Sequence, residues 1–231
     1  IGMLCMYKYD AWNRMRLVGL DNGSGSPAAV VQQDTYDGLH RRVGRYGTGM
    51  GVMRWYYHNE SWSAVEERFG FSPESNLPVD YQYVWDVRYI DAAVLRDQDV
   101  DMSGYCDDDE GDERVYYCQD ANFNVTALVD AYDGVVAERY LYDPYGKPTV
   151  LNGVRDAMGY STALSQWQPR TIGTFENELL YCGYRYDGGR AGHYHVRYRV
   201  YHPTLGRWTA RDPIGYEDGM SLVEYVTDRK S

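Results

Sequence analysis

Oxygen-bearing side chains fall at calcium-loop spacing in the run Asp99-x-Asp101-x-Ser103-Gly104-Tyr105-x-Asp107-x-x-Glu110. Carboxylates and a hydroxyl alternate along it, Tyr105 offers a backbone carbonyl, and Gly104 permits a sharp turn, as a hard cation requires. Two features depart from that template. Cys106 stands where an apolar branched residue is usual, and the flanks read as strands, not helices. The expectation is a solvated acidic hairpin tip, with a structural calcium ion pinning a loop whose charges repel as the alternative. No cofactor is required. His193-x-His195 places two imidazoles on one strand face, but no third zinc ligand is suggested nearby and Arg197 shares that face. The pair reads as a polar lining. Four cysteines, at 5, 106, 118 and 182, have neither CxxC nor finger spacing, and whether Cys106 and Cys118 meet across a hairpin stays open. Gly47-Thr48-Gly49-Met50-Gly51 lacks dinucleotide spacing and reads as a turn.

The chain of 231 residues has a formal net charge of −11 and a pI near 4.8, which argues against nucleic-acid partners because phosphate contacts need clustered Lys and Arg. No apolar run reaches the length of a membrane span, and no signal peptide is visible. The opening Ile1-Gly2 reads as part of a longer polypeptide whose export signal would lie upstream. Hydrophobic residues make up 44%, a globular composition. The 25 tyrosines against 4 phenylalanines suit strands with one packed face, since a tyrosine buries its ring while its hydroxyl reaches water or backbone.

Period-two patterns dominate. Tyr81, Tyr83, Trp85, Val87 and Tyr89 share one face of a strand, as do Tyr194, Val196, Tyr198 and Val200. Shorter strands are expected at 115–119, 124–129 and 135–142, with Asp133-Gly134 as a type I′ turn between the last two. The one helical candidate is 61–69, with a thin apolar face. Residues 151–180 lack alternation and read as a long loop or insertion.

Short phrases recur: Tyr9-Asp10-Ala11-Trp12-Asn13-Arg14, Tyr36-Asp37-Gly38-Leu39-His40-Arg41, Tyr142-Asp143-Pro144-Tyr145-Gly146-Lys147 and Tyr186-Asp187-Gly188-Gly189-Arg190. A weaker version runs from Tyr201 to Arg207. Each ends a strand with tyrosine, turns on an aspartate that accepts backbone N–H groups, and leaves with a basic residue. Repeated hairpins that cannot bury a face alone must stack on their neighbours. The expectation is an all-β chain of stacked antiparallel hairpins in one continuous curled sheet.

These phrases resemble the YD repeats of the RHS family. The ordered string Tyr181-Cys182-Gly183-Tyr184-Arg185-Tyr186-Asp187, His193-Tyr194-His195-Val196-Arg197, Gly206-Arg207-Trp208, Arg211-Asp212-Pro213-Ile214-Gly215-Tyr216 and Asp218-Gly219-Met220-Ser221-Leu222 resembles the RHS repeat-associated core domain. The division then runs as a YD-repeat region over 1–119, with its acidic loop near 97–113, and a core region over 120–231. The resemblance implies a spiral sheet wrapped into a shell of a secreted or surface protein. Its partners would be neighbouring repeats of the same polypeptide and a C-terminal cargo. It also implies an aspartyl autoprotease that frees the cargo, in which Asp212 would pair with a second aspartate and Arg211 would assist. The second phrase is missing: Asp228 lies in Thr227-Asp228-Arg229-Lys230, and Ser221-Leu222-Val223 departs from the family's usual Asn-Leu-Tyr. Asp212-Pro213 then reads as a turn with Arg211 as its neutralising partner, and this segment is expected to act as scaffold, not enzyme. A further reading is carbohydrate binding at the cell surface through Trp12, Trp55 and Trp62.

Overall fold

The computed structural model describes residues 4–47, 51–71, 77–106, 112–152, 155–156, 159–160, 167–170, 173, 175–213, 215 and 221–225. The described chain is almost entirely antiparallel β. In order the strands are β1 (Cys5–Tyr9), β2 (Met15–Asp21), β3 (Pro27–Tyr36), β4 (Arg42–Gly47), β5 (Met53–His58), β6 (Ala64–Gly70), β7 (Val79–Trp85), β8 (Ala93–Gln98), β9 (Glu113–Gln119), β10 (Val125–Asp130), β11 (Val136–Tyr142) and β12 (Pro148–Asn152). There follow β13 (Arg155–Asp156), β14 (Gly159–Tyr160), β15 (Gln168–Arg170), β16 (Arg185–Asp187), β17 (His193–Val196), β18 (Arg199–His202) and β19 (Arg207–Trp208). Strands β1 to β12, then β15, hydrogen-bond in sequence order as a 13-stranded sheet. β13 pairs with β14, and β16 to β19 form a four-stranded sheet.

One turn recurs after the odd-numbered strands. The backbone N–H of Asp10 donates to Arg14 O at 2.9 Å and that of Asn13 donates to Asp10 O at 3.1 Å. Asp10 Oδ1 accepts the N–H groups of Trp12 and Arg14 at 3.0 Å each. The same bonds recur at Asp37, Asn59, Asp120 and Asp143. The fourth residue of each turn is left-handed: Asn13, His40, Trp62, Phe123 and Gly146 have φ of 62°, 67°, 69°, 60° and 82°. Asp86 heads a longer variant, in which its N–H reaches Ala92 O at 2.8 Å and its carboxylate accepts from Arg88 N. A side chain that satisfies two turn donors makes the hairpin local in origin.

These turns account for three departures from the expected pattern. The helix expected over 61–69 is strand β6, because the Asn59 turn holds Trp62 left-handed where a helix would begin. The strand expected through Tyr89 stops at Trp85, where the Asp86 turn starts. The strand expected through Val200 is two strands, β17 and β18, joined at Arg197-Tyr198 with Arg197 at φ 45°. The register pairs Tyr194 with Tyr201 and His195 with Val200, so the turn puts Val200 on the face opposite Tyr194, although the sequence alternation runs on through Arg197-Tyr198 without a break. A fourth departure lies at Asp133-Gly134. Gly134 alone of the two has positive φ, 68°, and the Asp130 N–H bonds Val135 O, so the loop is longer than a type I′ turn.

The chain forms two compact units, Ile1–Trp55 with Tyr186–Ser231, and Tyr56–Arg185. In the first, Met15 and Val18 of β2 pack on Val200 of β18, flanked by Cys5, Tyr7, Tyr9 and Val31. Trp55 lies so close over Gly44 that a Cβ there would stand 2.8 Å from the ring. In the second, Tyr81, Tyr83 and Ala93 pack on Leu179, with Trp85 and Tyr117 beside them. Each unit thus buries a sheet face under chain that returns after β15.

Candidate functional site

Burying charge is costly unless each group is paired, so dense buried ionisable groups mark where this fold spends stability. Each unit has one such cluster. In the first unit, residues two apart on a strand share a face, which puts Gln32 and Asp34 of β3 together. Asp34 stands opposite Arg45 of β4 in the register. The return segment adds Asp187 at the end of β16 and His193 of β17. Asp34, Asp187, Arg42 and His193 are 1%, 1%, 3% and 0% exposed.

Asp187 is the hub. Its Oδ1 accepts from Arg42 Nη2 at 3.0 Å and Arg45 Nη1 at 2.6 Å, and its Oδ2 accepts from Gln32 Nε2 at 2.8 Å and from Arg42 Nη1. Gln32 Nε2 also lies 3.0 Å from Asp34 Oδ1, and Arg42 Nη1 lies 3.6 Å from the same oxygen. His193 Nε2 sits 3.2 Å from Asp187 Oδ2, an ion-pair distance without a well-aligned hydrogen bond. Its Nδ1 is 3.1 Å from Ala191 O. Burial works to raise the Asp187 carboxyl, but Arg42, Arg45 and His193 hold it well below the usual range. Burial pushes Asp34 up to about 6, with Asp187 adding to the rise against the pull of Arg42. One carboxylate is therefore firmly ionised and its neighbour is poised to take a proton.

In the second unit Arg185 of β16 reaches Glu67 Oε1 of β6 at 2.6 Å and Glu178 Oε2 at 2.9 Å. Its guanidinium carbon lies 4.8 Å from the Tyr56 ring centroid. Burial opposes the charge on Arg185, yet Glu67 and the surrounding tyrosines hold its pKa well above the ordinary value. Arg96, 1% exposed, lies over Tyr81 at 4.6 Å and bonds Glu113 at 3.1 Å. The return chain adds local bonds here, from Val125 N to Leu180 O at 3.1 Å and from Cys182 N to Asn124 Oδ1 at 2.9 Å.

Sequence reasoning took Asp187 for another turn aspartate. The signal against that is the residue four positions on: Arg14, Arg41 and Lys147 follow Asp10, Asp37 and Asp143, but Ala191 follows Asp187. His193 is no lining residue; it is sealed at the cluster, edge-on to Tyr7, while His195 lies half-buried beside Tyr36. Asp212 pairs with Arg199 Nη1 at 2.5 Å, and its N–H donates to Leu222 O at 2.8 Å. Arg211 is exposed and offers its carbonyl to Asn13 at 3.3 Å. The cation at Asp212 therefore comes from the start of β18, not from the neighbour expected. Ile214, Tyr216, Asp218, Gly219, Met220 and Asp228 lie outside the described residues.

In the acidic loop, single carboxylate oxygens of Asp99, Asp101 and Asp112 lie within 4.8 Å of one another. Asp99 accepts the N–H groups of Ser103 and Gly104 at 2.9 and 2.7 Å, Asp101 accepts from Ser103 N at 2.8 Å, and the Tyr105 carbonyl accepts from Ser103 Oγ. Asp112 was not among the expected ligands, and Asp107 and Glu110 lie outside the described residues. Burial, with Asp112, Asp97 and Asp99 around it, pushes the Cys106 thiol up to about 12. All four cysteines are free. Of the tryptophans weighed for carbohydrate, Trp12 is 67% exposed, Trp62 is half-buried and Trp55 is 8% exposed, packed inside.

No family model matches the sequence, and no curated protein matches it. Among solved structures the chain is similar to the TcdB2-TccC3 crystal structure, at 18% identity and a TM-score of 0.59, over 96% of this chain and 10% of that one. TcdB2-TccC3-Cdc42 gives 19% identity and 0.62, again over 96% and 10%. A Tc holotoxin pore of Photorhabdus luminescens gives 18% and 0.59, over 96% and 9%. This chain spans about a tenth of the structures it matches, and the likeness is one of fold.

Proposed function

We propose that this chain is a wall segment of a toxin-type shell, in which a return strand layer is locked onto a meandering sheet by buried ion pairs. The likeness to toxin-complex chains supports a scaffold role at the coarse level. The observation that carries the reading is the Asp187 hub, because four sheet and return-segment residues converge on one buried carboxylate. The finer reading is a segment of a secreted or surface RHS-type protein that encloses or presents a cargo joined behind it. Its partners are then other repeats of the same polypeptide. The test fuses a protease-sensitive reporter after Ser231 in a polypeptide that supplies further repeats. Protection that Asp187→Ala abolishes supports enclosure; a reporter cut as fast as when free rejects it.

An aspartyl autoprotease is the enzyme alternative. With Asp212 held by Arg199, this chain is expected to run as a single uncut band, unchanged by Asp212→Ala. Self-cleavage that Asp212→Ala stops would establish the enzyme instead. Carbohydrate binding, the third reading, rests on Trp12, the exposed tryptophan of the three, and a glycan array comparing wild type with Trp12→Ala decides it.

A structural calcium ion remains a second proposal, favoured by the convergence of Asp99, Asp101 and Asp112. Calcium should raise the melting temperature and Asp99→Ala should remove the rise. No heat in titration calorimetry and an unchanged melt would end it.

A further inference from the structure

The loop between β2 and β3 holds groups arranged for chemistry on its own backbone. It contains Asn22-Gly23, one of two Asn-Gly pairs in the chain, the other being Asn152-Gly153. Asn22 and Gly23 are exposed, Gly23 has φ 78°, and nothing lies within 4 Å of where a Cβ would stand. The side of Gly23 on which a Cβ would stand is therefore unobstructed.

Two sets of hydrogen bonds act on this pair. Gly23 N–H donates to Asp21 Oδ1 at 2.8 Å, so the nitrogen carries an acceptor on its proton. Asn22 Oδ1 accepts from Ser24 N at 3.0 Å and from Ser24 Oγ at 2.6 Å, so the side-chain carbonyl is polarised by two donors. The bond to Ser24 N closes a turn that spans Gly23. A proton acceptor on the nucleophile and paired donors on the carbonyl oxygen are what attack on an amide requires.

We propose that Asn22 is a self-modification site, at which the Gly23 nitrogen attacks Asn22 Cγ with Asp21 accepting its proton and Ser24 stabilising the developing oxyanion. The new C–N bond closes a five-membered succinimide, the C–N bond to the side-chain amide nitrogen breaks, and that nitrogen leaves as ammonia with the proton. Water then opens the ring at either carbonyl, giving aspartate or isoaspartate at position 22. In sum the amide and water become a carboxylate and ammonium. The product places a second negative charge beside Asp21, and the isoaspartyl form adds a methylene to the backbone where β2 meets β3, next to the irregular step at Leu20/Asp21.

The test incubates the 231-residue chain at neutral pH, folded and in urea, and follows positions 22 and 152 by peptide mass spectrometry, with isoaspartate resolved by elution. The folded chain should convert Asn22 at least about tenfold faster than the unfolded chain, a fraction of the roughly 10²–10⁴-fold that positioned acid–base groups contribute. Asp21→Asn, at the end of β2, and Ser24→Ala, in the exposed loop, should each bring the folded rate down toward the unfolded one, with a thermal melt showing that each variant is folded. Gly23→Ala should slow conversion in both states. A folded rate at or below the unfolded rate overturns the proposal. So does a folded rate that either variant leaves unchanged, or a product without isoaspartate.

Discussion

At the scale of single residues, the Asp187 carboxylate carries the most weight in the first unit. Removing one partner of a buried charge cluster leaves the others unpaired, which typically costs about 3–5 kcal/mol. Asp187→Ala should therefore lower the unfolding free energy by about that much in urea titrations. Asp187→Asn keeps the shape but not the charge, and should fall between it and wild type. An Asp187→Ala protein within about 0.5 kcal/mol of wild type, the range of an ordinary surface change, would show that the cluster does not hold the return chain. How legible these residues were differs from case to case. Asp10, Asp37 and Asp143 announced their role, because a turn aspartate is satisfied by neighbours two and four residues on and needs nothing distant. Asp187 did not, since its partners Gln32 and Arg42 lie on β3 and β4, far away in sequence, and His193 did not, since it is sealed against Asp187 and against Tyr7 of β1. Arg199 as the partner of Asp212 was hidden for the same reason.

At the scale of elements, the repeated turn has a testable conformational cost. A non-glycine residue in the left-handed region loses roughly 1 kcal/mol relative to glycine. His40 sits there at φ 67°, with its ring 6.3 Å from Tyr198. His40→Gly should raise stability by up to about 1 kcal/mol, less whatever that ring contact contributes. The reciprocal change is Gly146→Ala, where φ is 82° and the new Cβ would stand 2.5 Å from the Tyr181 ring. It should lower stability by about 1–3 kcal/mol, since strain and overpacking act together. Equal melting of the Gly146→Ala and wild-type proteins would mean that this turn is not held as described. Strands β9, β10 and β11 were legible from alternation alone. Strand β6 was not, because Asn59 heads its turn without a preceding Tyr-Asp phrase, and Trp62 gives no outward sign of positive φ. Asp120 was missed on the same ground.

At the scale of the whole molecule, the two cluster carboxylates set a pH window for stability. The Asp34 carboxyl is raised from 3.8 to about 6, so the folded state binds its proton more tightly than the unfolded chain does. That contribution is fully present below about 4 and is lost as pH rises through 6. Asp187 is shifted the other way, so its contribution is present above the ordinary carboxylate range and is lost as pH falls below it. Together they place the optimum of this cluster near pH 4, at the start of that loss. Thermal melts from pH 4 to 8 should show stability falling between about 4 and 6 and levelling above that, and Asp34→Asn should flatten the fall; an unchanged slope in that variant would assign it elsewhere. The all-β architecture itself was readable in the sequence, because its hairpins are closed locally. The return of 175–213 over the sheet was not, because nothing in a strand's period says which face it will cover. Hairpin lengths carry one more consequence. The joints after β1, β3, β5, β9 and β11 are stitched by one aspartate or asparagine turn and only that after β7 is longer, whereas those after even strands run from 22–26 to 99–112. One hem of the fabric is sewn and the other is loose, so added length, whether acquired in descent or grafted by design, should be tolerated on the loose hem and rejected on the sewn one.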